Sequence, residues 1–185
     1  MLIGGLLSLL ASFVLSVEAF QLLKNPDAAL SCSVNAIINC ASVAKHPSAE
    51  LLGFPNSFFG LIAEPIVATV AVAGLAGVKF PRWFMATAQV FYTLGFLFAY
   101  YLLYTSVFVI GALCPWCLLV TLTTTLVFFS LTRYNIREDN LWLSKHASKK
   151  ANAFISKDYD KFLLASIIVL IIAGIIVKYG SDLFA

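Results

Sequence analysis

An all-α integral membrane protein with five transmembrane helices is the fold class this sequence predicts, on three observations. Hydrophobic residues make up 61% of the 185-residue chain and charged residues 11%, against about 25% charged in a soluble domain. Several apolar runs reach the ~20 residues that a helix needs to cross a ~30 Å hydrocarbon core. Between Trp83 and Thr132 lie about fifty residues without a single charge, too many for one crossing and right for two.

The first span covers about residues 2–23 and ends at the polar Lys24-Asn25-Pro26-Asp27. It has no basic leader and is too long for the apolar region of a signal peptide, so it is expected to stay as an uncleaved anchor. A loop over 24–56 follows, long for a mere connection. The second span, about 57–78, opens at Pro55-Asn56-Ser57 and closes at Lys79-Phe80-Pro81-Arg82. The uncharged run then divides into spans over 83–105 and 112–132, with the turn placed around Thr105 to Gly111. Residues 133–161 carry charges of both signs and read as a solvated connector with room for a helix. A fifth span over 162–177 is shorter than the rest, and a peripheral position suits it. No repeat or low-complexity segment divides the chain, so residues 1–185 are expected to form one membrane domain.

The net charge of +3 is no nucleic-acid signal, because the basic residues follow topology. If the first span enters from the cytoplasm, the inner segments 79–82 and 133–161 hold nine Lys and Arg, and the outer ones only Lys24, Lys45 and Lys178. Nine against three agrees with the positive-inside rule. A multi-pass protein of the inner (plasma) membrane is the expectation, with the lipid bilayer as its solvent.

All four cysteines fall on the outer side of that topology. Cys32 and Cys40 lie in the first outer loop, and Cys114 and Cys117 open the fourth span. An even number on the oxidising face of a membrane suggests redox pairs. Cys114-Pro115-Trp116-Cys117 has C-x-x-C spacing at a helix start. Pro115 is tolerated there because its missing N–H would have no partner, and the helix dipole favours an anion. A thiolate at Cys114 is therefore stabilised, and thiolate is the species that acts in disulfide exchange. The plainer reading of the same residues is a structural disulfide or two buried thiols. Seven residues between Cys32 and Cys40 permit a disulfide that is either a working pair or a staple. A four-cysteine zinc site is a further alternative, since thiolates bind zinc tetrahedrally.

Three motifs in register then carry a resemblance: Cys32-x7-Cys40, Asn56-Ser57-Phe58-Phe59-Gly60 opening the second span, and Cys114-Pro115-Trp116-Cys117 opening the fourth. In their order and sidedness the chain resembles the vitamin K epoxide reductase family, in its short prokaryotic form without a fused thioredoxin-like domain. The resemblance runs to about Thr132, roughly 70% of the chain. It implies a four-helix bundle around a quinone, plus a fifth helix, and a separate thioredoxin-fold (DsbA-like) protein as partner. It implies that Cys32 meets the partner, that Cys40 exchanges with Cys114, and that Cys117 delivers electrons to the quinone. It also implies that Asn56 donates a hydrogen bond to a quinone oxygen, although Asn and Ser before an apolar run are ordinary helix caps. Ser57 and Phe59 are placed beside the ring by the same motif. Relatives sensitive to coumarin-like inhibitors carry Tyr four residues after the C-x-x-C; here Thr121 keeps a hydroxyl and lacks the ring.

Other residues stand out less. Glu18 and Glu64 are carboxylates inside spans and so candidates by default, either snorkelling, hydrogen-bonding between helices or relaying protons. Phe54 and Phe58 need no explanation beyond the membrane interface. His46 and His146 read as solvated. Gly74 and Gly77 are expected to allow close helix packing. The expected activity is a quinone-dependent thiol–disulfide oxidoreductase supporting disulfide bond formation. Its acceptor is the membrane quinone pool (menaquinone, ubiquinone or phylloquinone), and no metal and no nucleic acid take part. Reduction of a vitamin K epoxide as the main activity, or a non-enzymatic zinc-binding membrane protein, are the alternatives.

Overall fold

Backbone groups in hydrocarbon must be satisfied within their own segment, and the chain answers with helices almost throughout. The structure is a computed structural model that describes residues 1–28 and 30–183. Its helices are α1 (Leu2–Lys24), α2 (Cys40–Ala44), α3 (Ser57–Leu75), α4 (Arg82–Tyr104), α5 (Pro115–Arg137), α6 (Lys145–Ser156) and α7 (Tyr159–Leu183). Five of them are long and apolar enough to cross a membrane.

Boundaries follow local chemistry. α1 stops at Lys24, where Asn25 turns extended ahead of Pro26. α4 begins after Pro81, and α5 has Pro115 in its first turn behind Cys114. The turn expected around Thr105 to Gly111 is confined to the end of that segment. α4 continues through a π-helical turn over Thr105–Ile110, making one helical span over Arg82–Ile110. The break falls at Gly111, whose φ of +73° suits a residue without Cβ. An uncharged run offers no punctuation, and only this glycine ends it. α7 is also longer than expected, 25 residues, and lies at the periphery against α5 and α6.

Helices in lipid cannot rely on hydrophobic burial against one another, so small and polar residues set the contacts. α1 packs between α3 and α5, and α4 packs on the far side of α5. Ser8, Ser12 and Ser16 are buried along one face of α1, and Thr121, Thr123, Thr124 and Thr125 along α5. Close approach is set by Gly4, Gly5 and Gly60; a Cβ on Gly60 would lie 2.7 Å from the Ser12 Cβ. Gly74 and Gly77 do not serve this purpose, since a Cβ on either meets nothing within 4 Å. At the end opposite the cysteines, Asn135 is fully buried and donates to the Met85 carbonyl (3.2 Å) and Gln89 (3.0 Å), tying α5 to α4. Arg133 holds the start of α7 there through Asp160 (2.7 Å) and, just ahead of the helix, Asp158 (2.9 Å).

The ring of helices is not closed. α3 and α4 have almost no backbone contact and meet mainly through side chains, as in the Phe59–Phe98 edge contact at 6.1 Å. Gly60→Ala is expected to cost about 1–3 kcal/mol by overpacking. Gly74→Ala should leave stability unchanged or gain about 0.5–1 kcal/mol. Thermal melts in detergent read both, and equal melting of the two variants would contradict the assigned contacts.

Candidate active site

The site begins with backbone pairing. Leu113 N–H donates to the Ile37 carbonyl at 2.6 Å, and Asn39 N–H donates to the Leu113 carbonyl at 3.0 Å. These bonds form a parallel bridge between Ile38 and Leu113, each just ahead of a cysteine. Asn35 stiffens the approach by accepting from Ile37 N–H (3.0 Å) and Ile38 N–H (2.6 Å) through its side chain. Asn39 caps α2 by accepting from Ser42 N–H at 3.0 Å. Cys40 thus starts α2 and faces Cys114, and both are 1% exposed.

Cys32 and Cys40 form a disulfide with Cα atoms 5.6 Å apart, while Cys114 and Cys117 are thiols. The Sγ atoms of Cys40 and Cys114 are 3.3 Å apart, within the separation of a near-attack contact. Cys117 N–H donates to Cys114 Sγ at 3.3 Å, the helix-start geometry that favours a thiolate. The neighbouring Cys117 thiol, then the Cys117 and Trp116 N–H groups, hold the Cys114 thiol below the ordinary thiol range, against burial and the nearby Glu18. The Sγ atoms of Cys32, Cys40 and Cys114 all lie within 4.8 Å of one another. Two of the three are bonded to each other and in this state offer no thiolate to a metal.

Cys40, Cys114 and Cys117 open on a cavity of about 470 Å³ inside the bundle, within the ~300–1,000 Å³ of small-molecule sites. Asn56, Ser57, Phe59 and Thr121 line it too, whereas Cys32 stands outside its wall. Its other walls are largely apolar, with Ile66 and Val70 of α3 and Phe91, Gly95 and Phe98 of α4 bordering the gap between those helices. The chamber's surface is mostly apolar, with Asn56, Ser57, Thr121 and the carboxyl groups of Glu18 and Glu64 set into it.

Asn56 does not cap α3 with its side chain. Its amide donates to the Ser48 carbonyl at 2.6 Å and its oxygen accepts from Leu51 N–H at 3.4 Å, leaving one amide proton free among the described residues. Thr121 donates to the Cys117 carbonyl at 3.0 Å, and Ser57 pairs with Ser16 at 2.8 Å. Phe59 leans on Phe54 with ring centres 5.3 Å apart. Neither intramembrane acid snorkels: Glu18 is 5% and Glu64 4% exposed. Glu64 accepts from Tyr92 O–H at 3.3 Å. Glu18 accepts from Ser31 O–H at 2.5 Å and lies 3.4 Å from Cys32 Sγ. Sequence reasoning missed Ser31 entirely, because the loop's return onto α1 leaves no periodic signal. His46 accepts from Ser48 N–H at 3.2 Å at the start of a short 3₁₀ turn, and His146 is exposed.

Two outcomes check this geometry. Asn56→Ala should leave the Ser48 carbonyl short of a partner, costing about 1–3 kcal/mol and speeding amide exchange over 47–56. With the disulfide intact, ultraviolet thiolate absorbance should show one thiol titrating earlier than an unperturbed thiol. Cys117→Ala should move that titration upward; a midpoint that stays put would contradict the assigned cause.

A search of curated proteins finds no match. The family description "Vitamin K epoxide reductase family" matches residues 1–132, which take in α1 to α4, all four cysteines and most of α5. Members of that family are membrane oxidoreductases that work with quinones and thioredoxin-like partners. With most of its length matched and its cysteine pairs set against a bundle of spanning helices, this chain belongs to the vitamin K epoxide reductase family.

Proposed function

We propose that the protein oxidises the thiols of a separate thioredoxin-fold protein and passes the electrons to a membrane quinone, supporting disulfide formation. One observation carries the reading: Cys40 Sγ lies 3.3 Å from Cys114 Sγ, so a disulfide on one side and a dithiol on the other are within a single exchange. In the first stage a partner thiolate attacks the Cys32–Cys40 disulfide, and the partner's second thiol resolves the mixed disulfide, leaving Cys32 and Cys40 as thiols. In the second stage Cys40 attacks Cys114 of an oxidised C-x-x-C, Cys117 leaves, and Cys32 displaces Cys114 to re-form the Cys32–Cys40 disulfide. Each stage moves one electron pair and two protons.

A bound quinone supplies a two-electron, two-proton acceptor. Cys117, half-buried in the cavity wall, faces that acceptor and returns to a disulfide with Cys114 as electrons and protons leave. The free amide proton of Asn56 is available to a ring oxygen, held in place by the Ser48 and Leu51 bonds. Thr121, whose hydroxyl proton goes to the Cys117 carbonyl, can accept from a hydroxyl of the reduced quinol, and Phe59 lines the chamber beside it. In a bilayer the gap between α3 and α4 would face lipid, where an apolar tail has its lowest free energy. The distribution of Lys and Arg supports an inner-membrane location with the cysteines on the periplasmic or extracellular side.

Anaerobic quinone reduction by detergent-purified protein with a dithiol donor tests this. Wild type should turn over, and Cys117→Ala should fall by more than about 100-fold, as loss of a nucleophile does. Absence of turnover with menaquinone and ubiquinone analogues, together with one zinc bound per chain, would overturn the reading in favour of a metal site.

A further inference from the structure

Glu18 is a carboxyl group at the cysteine end of α1 that no cation pairs among the described residues. Its Oε1 accepts from Ser31 O–H at 2.5 Å. Its Oε2 lies 3.4 Å from Cys32 Sγ and its Oε1 3.8 Å. A disulfide sulfur carries no proton, so the contact as it stands is not an S–H···O bond. Once Cys32 is a thiol, its proton lies between the two groups. The carboxyl also lines the cavity, whereas Cys32 does not, and Ser31 on its other side is exposed. Glu18 is therefore the one carboxyl among the described residues that touches a cysteine sulfur, and it stands between that sulfur, solvent and the chamber.

Building on the redox reading above, we infer that Glu18 is the general base for Cys32 in resolving the Cys40–Cys114 mixed disulfide, and the general acid in the reverse step. In the mixed disulfide Cys32 is a thiol. The Glu18 carboxylate takes its proton, and the Cys32 thiolate attacks Cys40 Sγ. The Cys32–Cys40 bond forms, the Cys40–Cys114 bond breaks, and Cys114 leaves with the electron pair. Its thiolate is received by the Cys117 N–H at the start of α5. The products are a Cys32–Cys40 disulfide, a protonated Glu18 and a free Cys114, with no outside oxidant consumed. That pattern of bonded and free sulfurs is the one the structure displays. Without the carboxylate, Cys32 must lose its proton to water from a buried position, 7% exposed. Resolution would then lag behind formation of the mixed disulfide.

The test isolates this step from quinone and partner. Fully reduced Cys117→Ala protein, in which Cys114 has no local partner, is oxidised with diamide, acid-quenched at intervals and alkylated, and its disulfide-linked peptides are quantified by mass spectrometry. The Cys40–Cys114 linkage should give way to Cys32–Cys40. Adding Glu18→Gln should slow that conversion at least about 10-fold, given the 10²–10⁴ that general bases contribute, and Glu18→Asp should restore part of the rate. Equal conversion rates with and without Glu18→Gln would overturn the proposal. If Glu18→Gln does not fold, the conversion in D₂O decides: slowing supports transfer of the Cys32 proton, and an unchanged rate overturns it. Failure of wild type in the quinone assay would strike at the quinone reading alone, since the exchange assay needs neither quinone nor partner.

Discussion

The chemistry depends on a pair of backbone hydrogen bonds. Leu113 exchanges its N–H and carbonyl with Ile37 and Asn39, and these bonds fix the register of a long loop against the segment ahead of the C-x-x-C. Without them Cys40 and Cys114, separated by 74 residues in sequence, would be joined only through the loop's flexible ends. A shift by one residue would turn Cys40 away, because neighbouring side chains on an extended segment point to opposite sides. The pairing is available because Gly111 ends the preceding helix and leaves Ala112 to Cys114 outside any helix before Pro115 starts the next. Helix termination and sulfur placement are thus one event.

Around that junction the bundle solves a second constraint. Spanning helices must hold together without water driving them, yet a chamber remains between them. Contact is concentrated on α1 and α5, where serines, threonines and glycines let backbones close up. It is withheld between α3 and α4, whose facing residues Phe59, Ile66, Phe91 and Phe98 border the chamber. Gly95 adds to the opening, since a Cβ there would meet nothing within 4 Å.

Hydropathy made the spanning helices legible in the sequence, because length and apolar content are what lipid selects. The spacing and order of the cysteines made the family legible. What stayed hidden depends on side-chain direction and loop return. Asn56 sits where caps usually sit, but the neighbouring turn brings the Ser48 carbonyl within 2.6 Å and claims the amide. Gly74 and Gly77 are small residues of the kind that allow close packing, but they stand at and just beyond the end of α3, where a Cβ would meet nothing within 4 Å. The contact of Glu18 with Cys32 joins a helix to a loop across 14 residues, and no periodicity announces it. The π-helical turn beyond α4 stayed hidden for a different reason: an uncharged run gives hydropathy nothing to cut on, and the helix persists until Gly111 permits a left-handed turn.

That extended end also explains how α7 is attached, although it lies outside the family match. A π-helical turn shifts the hydrogen-bond register by one residue, so a carbonyl within it can lose its helical partner. The Val107 carbonyl accepts from Lys178 (2.5 Å) and Tyr179 (2.7 Å) of α7. Val107 is 6% exposed, and an unpaired buried carbonyl costs about 1–3 kcal/mol. The two donors offset that cost at one end of α7, as the Arg133 pairs with Asp158 and Asp160 clasp the other. Ser106 Oγ, one residue before Val107, donates to the Ala112 carbonyl at 2.5 Å, two residues ahead of Cys114. A helix that shares little of the bundle's interior therefore braces the turn from which the redox-active segment departs.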